Sequence, residues 1–181
     1  MRVAGLIAAA GAGLRAGGPK AVRIGDDDPR TFLDRAVAAL RAWGCDPVVT
    51  VVRPEHEDFA RRVGAEAIVP NPAPEAMIDS LRAGIAQLLP KAEIDAVVFA
   101  PVDCPKALEA FARFGPKASD LDGSRPLVGG HQGRPGHPVI LSRTLWGRLE
   151  LPAVGLEGAR AVLADAVIVE VGPESLENRN T

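Results

Sequence analysis

No tyrosine occurs in this 181-residue chain, and five phenylalanines and two tryptophans are its only aromatic side chains. Stacking platforms for single-stranded nucleic acid are therefore scarce. The basic excess that a duplex backbone attracts is missing too: 21 Lys and Arg stand against 23 Asp and Glu, a formal net charge of -2. A nucleotide would be handled as a small ligand, and no nucleic-acid partner is expected. Cys45 and Cys104 are too few and too far apart for a disulfide framework or a zinc site, so they read as buried thiols suited to a reducing cytoplasm. Long apolar runs are lacking as well. Leu6 to Ala10 is apolar, but the glycine-rich stretch from Gly11 to Lys20 cuts it far short of a spanning helix or a signal peptide. The expectation is a soluble cytoplasmic protein with no membrane partner.

What is present suits one globular domain over residues 1–181. Hydrophobic residues make up 47% of the chain, and a chain of this length buries about 70% of its unfolded surface. The organising stretch is Val3 to Lys20, where a short apolar run ends in a loop holding Gly11, Gly13, Arg15, Gly17, Gly18, Pro19 and Lys20. Glycines let backbone N–H groups face an anion, and Arg15 and Lys20 add the positive charge that a polyphosphate needs. A Walker A loop fails here because Pro19 and Lys20 stand where Lys and Ser/Thr belong. The dinucleotide fingerprint is formally met by Gly11, Gly13 and Ala16, with Arg53 at the end of the second strand as a candidate 2′-phosphate partner. Against it, Gly17-Gly18-Pro19 would break the required helix in its first turn. A flexible loop without a ligand is the bland alternative.

Further along, Asp26-Asp27-Asp28 reads as a solvated turn. Thr31 and Asp34 resemble a capping box for a helix whose face is Phe32, Leu33, Ala36, Val37, Leu40 and Trp43, stopped by Gly44. Val48 to Val52 reads as a strand covered on both faces, Pro54 opens a charged helix with His56 on its surface, Gly64 ends it, and Ala67 to Val69 is a third strand. Asn71-Pro72-Ala73-Pro74 is a stiff loop before a helix with Met77, Ile78, Leu81, Ile85, Leu88 and Leu89 as its core face. Ala96 to Ala100 is a fourth strand, followed by a helix from Ala107 to Phe114. Leu127 to Gly130 and Val139 to Leu141 form a hairpin, Ser142 caps a helix from Leu145 to Leu149, and Val167 to Val171 is the last strand. Such alternation implies an α/β fold with a parallel sheet ordered 3-2-1-4. That order puts Asp103, just past the fourth strand, beside the glycine-rich loop. A carboxylate facing a polyphosphate would repel it unless a cation lay between, which points to Mg²⁺.

Ala8-Ala9-Ala10-Gly11-x-Gly13-x-Arg15-x-Gly17-x-Pro19-Lys20 resembles the opening signature of the MobA/MocA-like NTP transferases, the molybdenum-cofactor cytidylyltransferases and guanylyltransferases. Four further segments are similar to that family in order. They are Asn71-Pro72 with Met77-x-x-Ser80-Leu81-x-x-Gly84, Asp103-x-Pro105, Gly133-x-x-Gly136-His137-Pro138-Val139, and Gly155-Leu156-Glu157-Gly158-Ala159-Arg160. The tail Asn178-Arg179-Asn180-Thr181 is similar to the family's Asx-x-Asx-Thr ending. The sequence departs from the pattern at Ala76, where the family has glycine, and at Leu156, where it has aspartate.

The resemblance implies a single-domain, three-layer Rossmann-like sandwich of the nucleotide-diphospho-sugar transferase type, with a mostly parallel sheet and an antiparallel strand. It implies transfer of a nucleotidyl group to a phosphorylated acceptor with release of pyrophosphate. Arg15 and Lys20 would hold the triphosphate with the loop at Ala9, Ala10, Gly11 and Gly13. Asn71 and Ser80 would line the base, His137 the acceptor, and Asp103 with Asn180 would bind Mg²⁺. Ala9-Ala10-Gly11 is similar to relatives that use CTP, with the Ala10 methyl in the space of a purine. Molybdopterin is the implied acceptor and a molybdoenzyme the implied partner, with a sugar or small-alcohol phosphate as the next acceptor. An NADP-binding oxidoreductase and a nucleotide-binding protein without turnover remain open.

Overall fold

The structure is a computed structural model that describes residues 1–11, 18–25, 27–151 and 158–177. Its frame is a seven-stranded sheet ordered β5-β4-β1-β6-β8-β7-β9, made of β1 (Val3–Ala8), β4 (Val48–Val51), β5 (Glu66–Ile68), β6 (Ala96–Pro101), β7 (Leu127–His131), β8 (Arg134–Ser142) and β9 (Val167–Glu170). A separate hairpin pairs β2 (Ile24–Gly25) with β3 (Asp28–Thr31). The four strands β5, β4, β1 and β6 run parallel, β8 is antiparallel to β6 and β7, and β9 is parallel to β7. The expected 3-2-1-4 order of the parallel strands is observed.

Both sheet faces are covered, so β1, β4 and β6 are buried along nearly their whole length instead of alternating, with Thr50 on β4 donating to Ile7 O as their one hydroxyl. On one face α1 (Phe32–Trp43), α2 (Glu57–Arg62) and α4 (Pro105–Phe114) bury Phe32, Leu33, Leu40, Ala60, Leu108 and Phe111. On the other, α3 (Met77–Leu88) and α5 (Ala159–Val162) cover Leu6, Val49 and Val97 through Ile78, Leu81, Leu88 and Val162. Three layers result.

Local signals explain the boundaries. Thr31 Oγ1 accepts from Asp34 N at 3.2 Å at the start of α1, and Gly44 closes the helix with φ +107°. In α3, a Cβ on Gly84 would stand 2.3 Å from both Leu6 methyl carbons, so the glycine is what lets α3 lie close to β1.

Several expectations need correction. Residues 143–150 form a 3₁₀ run, not an α-helix from Leu145, and Ser142 Oγ donates to Gly123 O at 2.5 Å instead of capping it. β8 extends back through His137-Pro138 to Arg134. The N–H that Pro138 lacks falls at a register irregularity opposite Gly129, where a Cβ would meet His137 O at 2.4 Å. Met77 and Leu89, 44% and 52% exposed, are no core residues, because they stand at the two ends of α3. His56 Nε2 is buried instead of facing water. Asp27 and Asp28 do not form a merely solvated turn: both lie against Arg35, 3% exposed, at 3.2 and 3.8 Å, and Glu109 accepts two further bonds from it at 2.8 and 2.9 Å.

Candidate functional site

In a parallel α/β sheet the carboxyl ends of neighbouring strands open a crevice beside the first loop. Here three chain segments meet there. Past the end of β1, Ala8 O accepts from Val102 N at 3.0 Å on the β6 side, and Ala9 N donates to Val51 O at 2.8 Å on the β4 side. Ala10 O accepts from Arg53 Nε at 3.0 Å. Ala9 and Ala10 are each 2% exposed and pack in the cores of opposite faces. The Ala10 methyl packs with the core side chains on the α3 side of the sheet. Gly11 is exposed, and a Cβ there would meet nothing within 4 Å.

Lys20 begins a 3₁₀ turn, Lys20–Val22, and its Nζ stands 2.5 Å from Asp103 Oδ2, across 83 residues of sequence. Asp103 is 5% exposed. A pair this covered gives up much of its Coulomb gain to desolvation, so stability alone is a poor reason for it. The Cys104 thiol points at Asp103 Oδ1 from 3.8 Å, and burial first, then the neighbouring carboxylate, pushes it above the usual thiol range. It is thereby kept from acting as a thiolate. His137 is pulled below its ordinary value by burial, which the charge of Asp103 opposes, and its Nδ1 is buried without a partner among the described residues.

Ser80 differs from the other buried polar side chains. Arg35, Thr50, Asp103, Ser142 and Ser175 each bond a partner. The Ser80 hydroxyl, in the first turn of α3 at 4% exposure, has none among the described residues. Asn71 lies exposed in the loop between β5 and α3. Arg15, Gly13, Asn180 and Leu156 lie outside the described residues. The approach of the tail is described as far as Glu177: its Oε2 is 3.5 Å from Lys106 Nζ, in the first turn of α4, and Lys106 Nζ also lies 3.5 Å from Asp27 Oδ2. Gly136 helps seat this segment, since a Cβ there would stand 2.1 Å from Ser175 O.

Lys20, Asp103, Gly11 and the Ala9-Ala10 turn are thus assembled at one edge, as expected. Two contributors were not legible as such. Arg53 lies level with Ala10, two residues beyond the Ala8 and Val51 partners, and bonds the loop backbone. Lys106 joins residues far apart in sequence, and only strand order could have hinted at it. The arrangement offers an exposed amide, a lysine and a carboxylate, a set suited to binding an anion together with a cation.

No curated protein matches the chain. Among solved structures, Rv0371c from Mycobacterium tuberculosis H37Rv is similar at TM-score 0.70 and 20% identity, covering 100% of this chain and 93% of that one. A nucleotidyl transferase from Methanothermobacter thermautotroptrophicus, Mth528, is similar at TM-score 0.72 and 20% identity, over 99% and 92%. The 4-diphosphocytidyl-2C-methyl-D-erythritol synthase of Anaerococcus prevotii DSM 20548 gives 0.73 and 13%, over 99% and 91%. At these identities the likeness establishes a shared fold. The family model of the MobA-like NTP transferase domain matches residues 5–171, and to that nucleotidyltransferase family the chain belongs.

Proposed function

We propose that the protein transfers CMP from CTP to a phosphorylated acceptor, molybdopterin first among them, and releases pyrophosphate. The observation that carries this reading is the Lys20–Asp103 pair, 2.5 Å apart at the edge where the glycine-rich loop leaves β1. An oxygen of the acceptor phosphate forms the new bond to the α-phosphorus as the bond to the departing pyrophosphate breaks. That oxygen is already ionised at neutral pH, so no general base is required. Lys20, Arg15 and the loop amides hold the phosphates in line and offset their charge. Ser80 and Asn71 line the base. His137 contributes to the acceptor side.

The donor set fits a divalent cation that shares its shell with phosphate oxygens. Asp103 supplies one carboxylate, and among the described residues no group of three His, Cys, Asp or Glu forms a protein-only cage. Asn180 is the second proposed ligand. Mg²⁺ held there would stabilise charge on the reactive and leaving oxygens. A manganese complex is known for Rv0371C, a relative in fold, so Mn²⁺ belongs beside Mg²⁺ in the tests.

The acceptor has a second reading, a sugar or small-alcohol phosphate, favoured by the fold shared with the diphosphocytidyl-methylerythritol synthase. A molybdoenzyme partner and a reducing cytoplasm go with the first reading. The test is pyrophosphate release from CTP, GTP or ATP with Mg²⁺ or Mn²⁺ and a panel of phosphorylated acceptors, alongside thermal stabilisation by each nucleotide. CTP is expected to stabilise and molybdopterin to release pyrophosphate, with Asp103→Asn lowering turnover about a thousandfold. Stabilisation by NADPH but by no NTP would instead return the oxidoreductase reading, and CTP binding without turnover on any acceptor a binding protein.

A further inference from the structure

The Arg53 side chain makes one hydrogen bond, Nε to Ala10 O at 3.0 Å, and its other guanidinium donors have no partner among the described residues. The carbonyl it holds belongs to the same peptide unit as the Gly11 N–H. That unit is trans, since the chain's described cis bonds all precede proline. In a trans peptide the C=O and N–H point in opposite directions. Fixing Ala10 O on the guanidinium therefore turns the Gly11 N–H away from Arg53, out of the finished strand.

Three further observations give that amide a purpose. It has no acceptor among the described residues. Gly11 is exposed and has neither a positive φ nor a neighbour that a Cβ would strike, so neither backbone strain nor packing calls for glycine there, unlike Gly84. The residues before it are locked on both sides by Val102 N and Val51 O, so the last rotation before the loop is the one that Arg53 controls. A cation on the carbonyl also polarises the peptide and strengthens the N–H as a donor.

We propose that Arg53 is a positioning residue, which aims and polarises the Gly11 amide for a phosphate of the nucleotide. This rests on the proposed function above, in that a triphosphate is what occupies the edge. Arg53→Leu removes the constraint. Arg53→Lys, which can reach the same carbonyl, restores part of it and guards against a folding defect in the first variant.

The experiment measures affinity for Mg-CTP, for pyrophosphate and for cytidine by calorimetry, together with the backbone amide signal of Gly11 by NMR. In wild type the Gly11 cross-peak is expected to move on adding pyrophosphate. In Arg53→Leu, Mg-CTP and pyrophosphate affinity should fall about tenfold while cytidine affinity holds, with partial recovery in Arg53→Lys. Equal losses for cytidine and CTP, or unchanged phosphate affinity, overturn the proposal. So does an affinity loss in which the Gly11 signal still moves as in wild type, which would make Arg53 a direct phosphate ligand. Failure of wild type to bind any nucleoside triphosphate would fell the nucleotidyltransferase reading itself, a result distinct from these.

Discussion

Ser80 is a residue whose hydroxyl can be removed without breaking a bond within the described protein. Ser80→Ala is therefore expected to leave the thermal midpoint unchanged while lowering CTP affinity about fivefold, read by melting and by calorimetry on one sample. A different residue-scale signature belongs to Asp28. Its bonds from the Arg30 side chain and backbone hold its carboxyl at about 2, against an ordinary value of 3.8. The folded state thus binds the proton less readily than the unfolded one. The stability Asp28 adds is present above about pH 4 and is lost as pH falls toward about 2. The urea midpoint of wild type should exceed that of Asp28→Asn at about pH 5, and the difference should shrink steadily on acidification. The meeting of Lys20 with Asp103 was legible because strand order sets β1 beside β6, so the loop after one lies against the loop after the other. The burial of Ala10 was not, since a methyl at a strand end faces the core or the crevice according to a twist that sequence does not record.

At the level of elements, Gly84 reads from family likeness as part of the segment lining the base, yet its neighbours are the methyl groups of a Leu6 with no exposed surface. Gly84→Ala should force α3 away from β1 and cost about 1–3 kcal/mol in urea denaturation. It should also raise the CTP dissociation constant, because Ser80 moves with the helix. Strands and α-helices were largely legible here, since both faces of the sheet are covered and the helix faces recur at i+3 and i+4. The hairpin of β7 and β8 followed from its short polar connection. The 3₁₀ run at 143–150 did not: the Ser142 hydroxyl is turned toward Gly123 O in a distant loop and accepts no bond from the amides of the run. Local pattern cannot report a competitor that arrives through tertiary contact.

On the scale of the whole molecule, charge fastens α1 and α4 beside the site. Arg35 on α1 bridges Asp27 and Asp28 from the β2–β3 hairpin to Glu109 on α4, and those bonds, with burial opposing, keep its guanidinium firmly charged. Arg35→Ala leaves three carboxylates facing one another. The expected loss is about 2 kcal/mol, less than for a fully buried pair because Glu109 and Asp27 retain contact with water. Added salt should recover part of it, as melting curves across ionic strength would reveal. Run lengths and alternation made the layers and the parallel order legible, but not this cluster, whose members lie up to 82 positions apart (Asp27 to Glu109).

Strand direction has a practical corollary. Arg2 leads into β1 at the amino edge of the sheet, bonded to Asp95 just before β6, whereas Glu177 reaches Lys106 at the opposite edge. A purification handle or fluorophore joined ahead of residue 2 would hang clear of the crevice, while a bulky label placed on Glu177 would begin beside its rim and act as an inhibitor in its own assay.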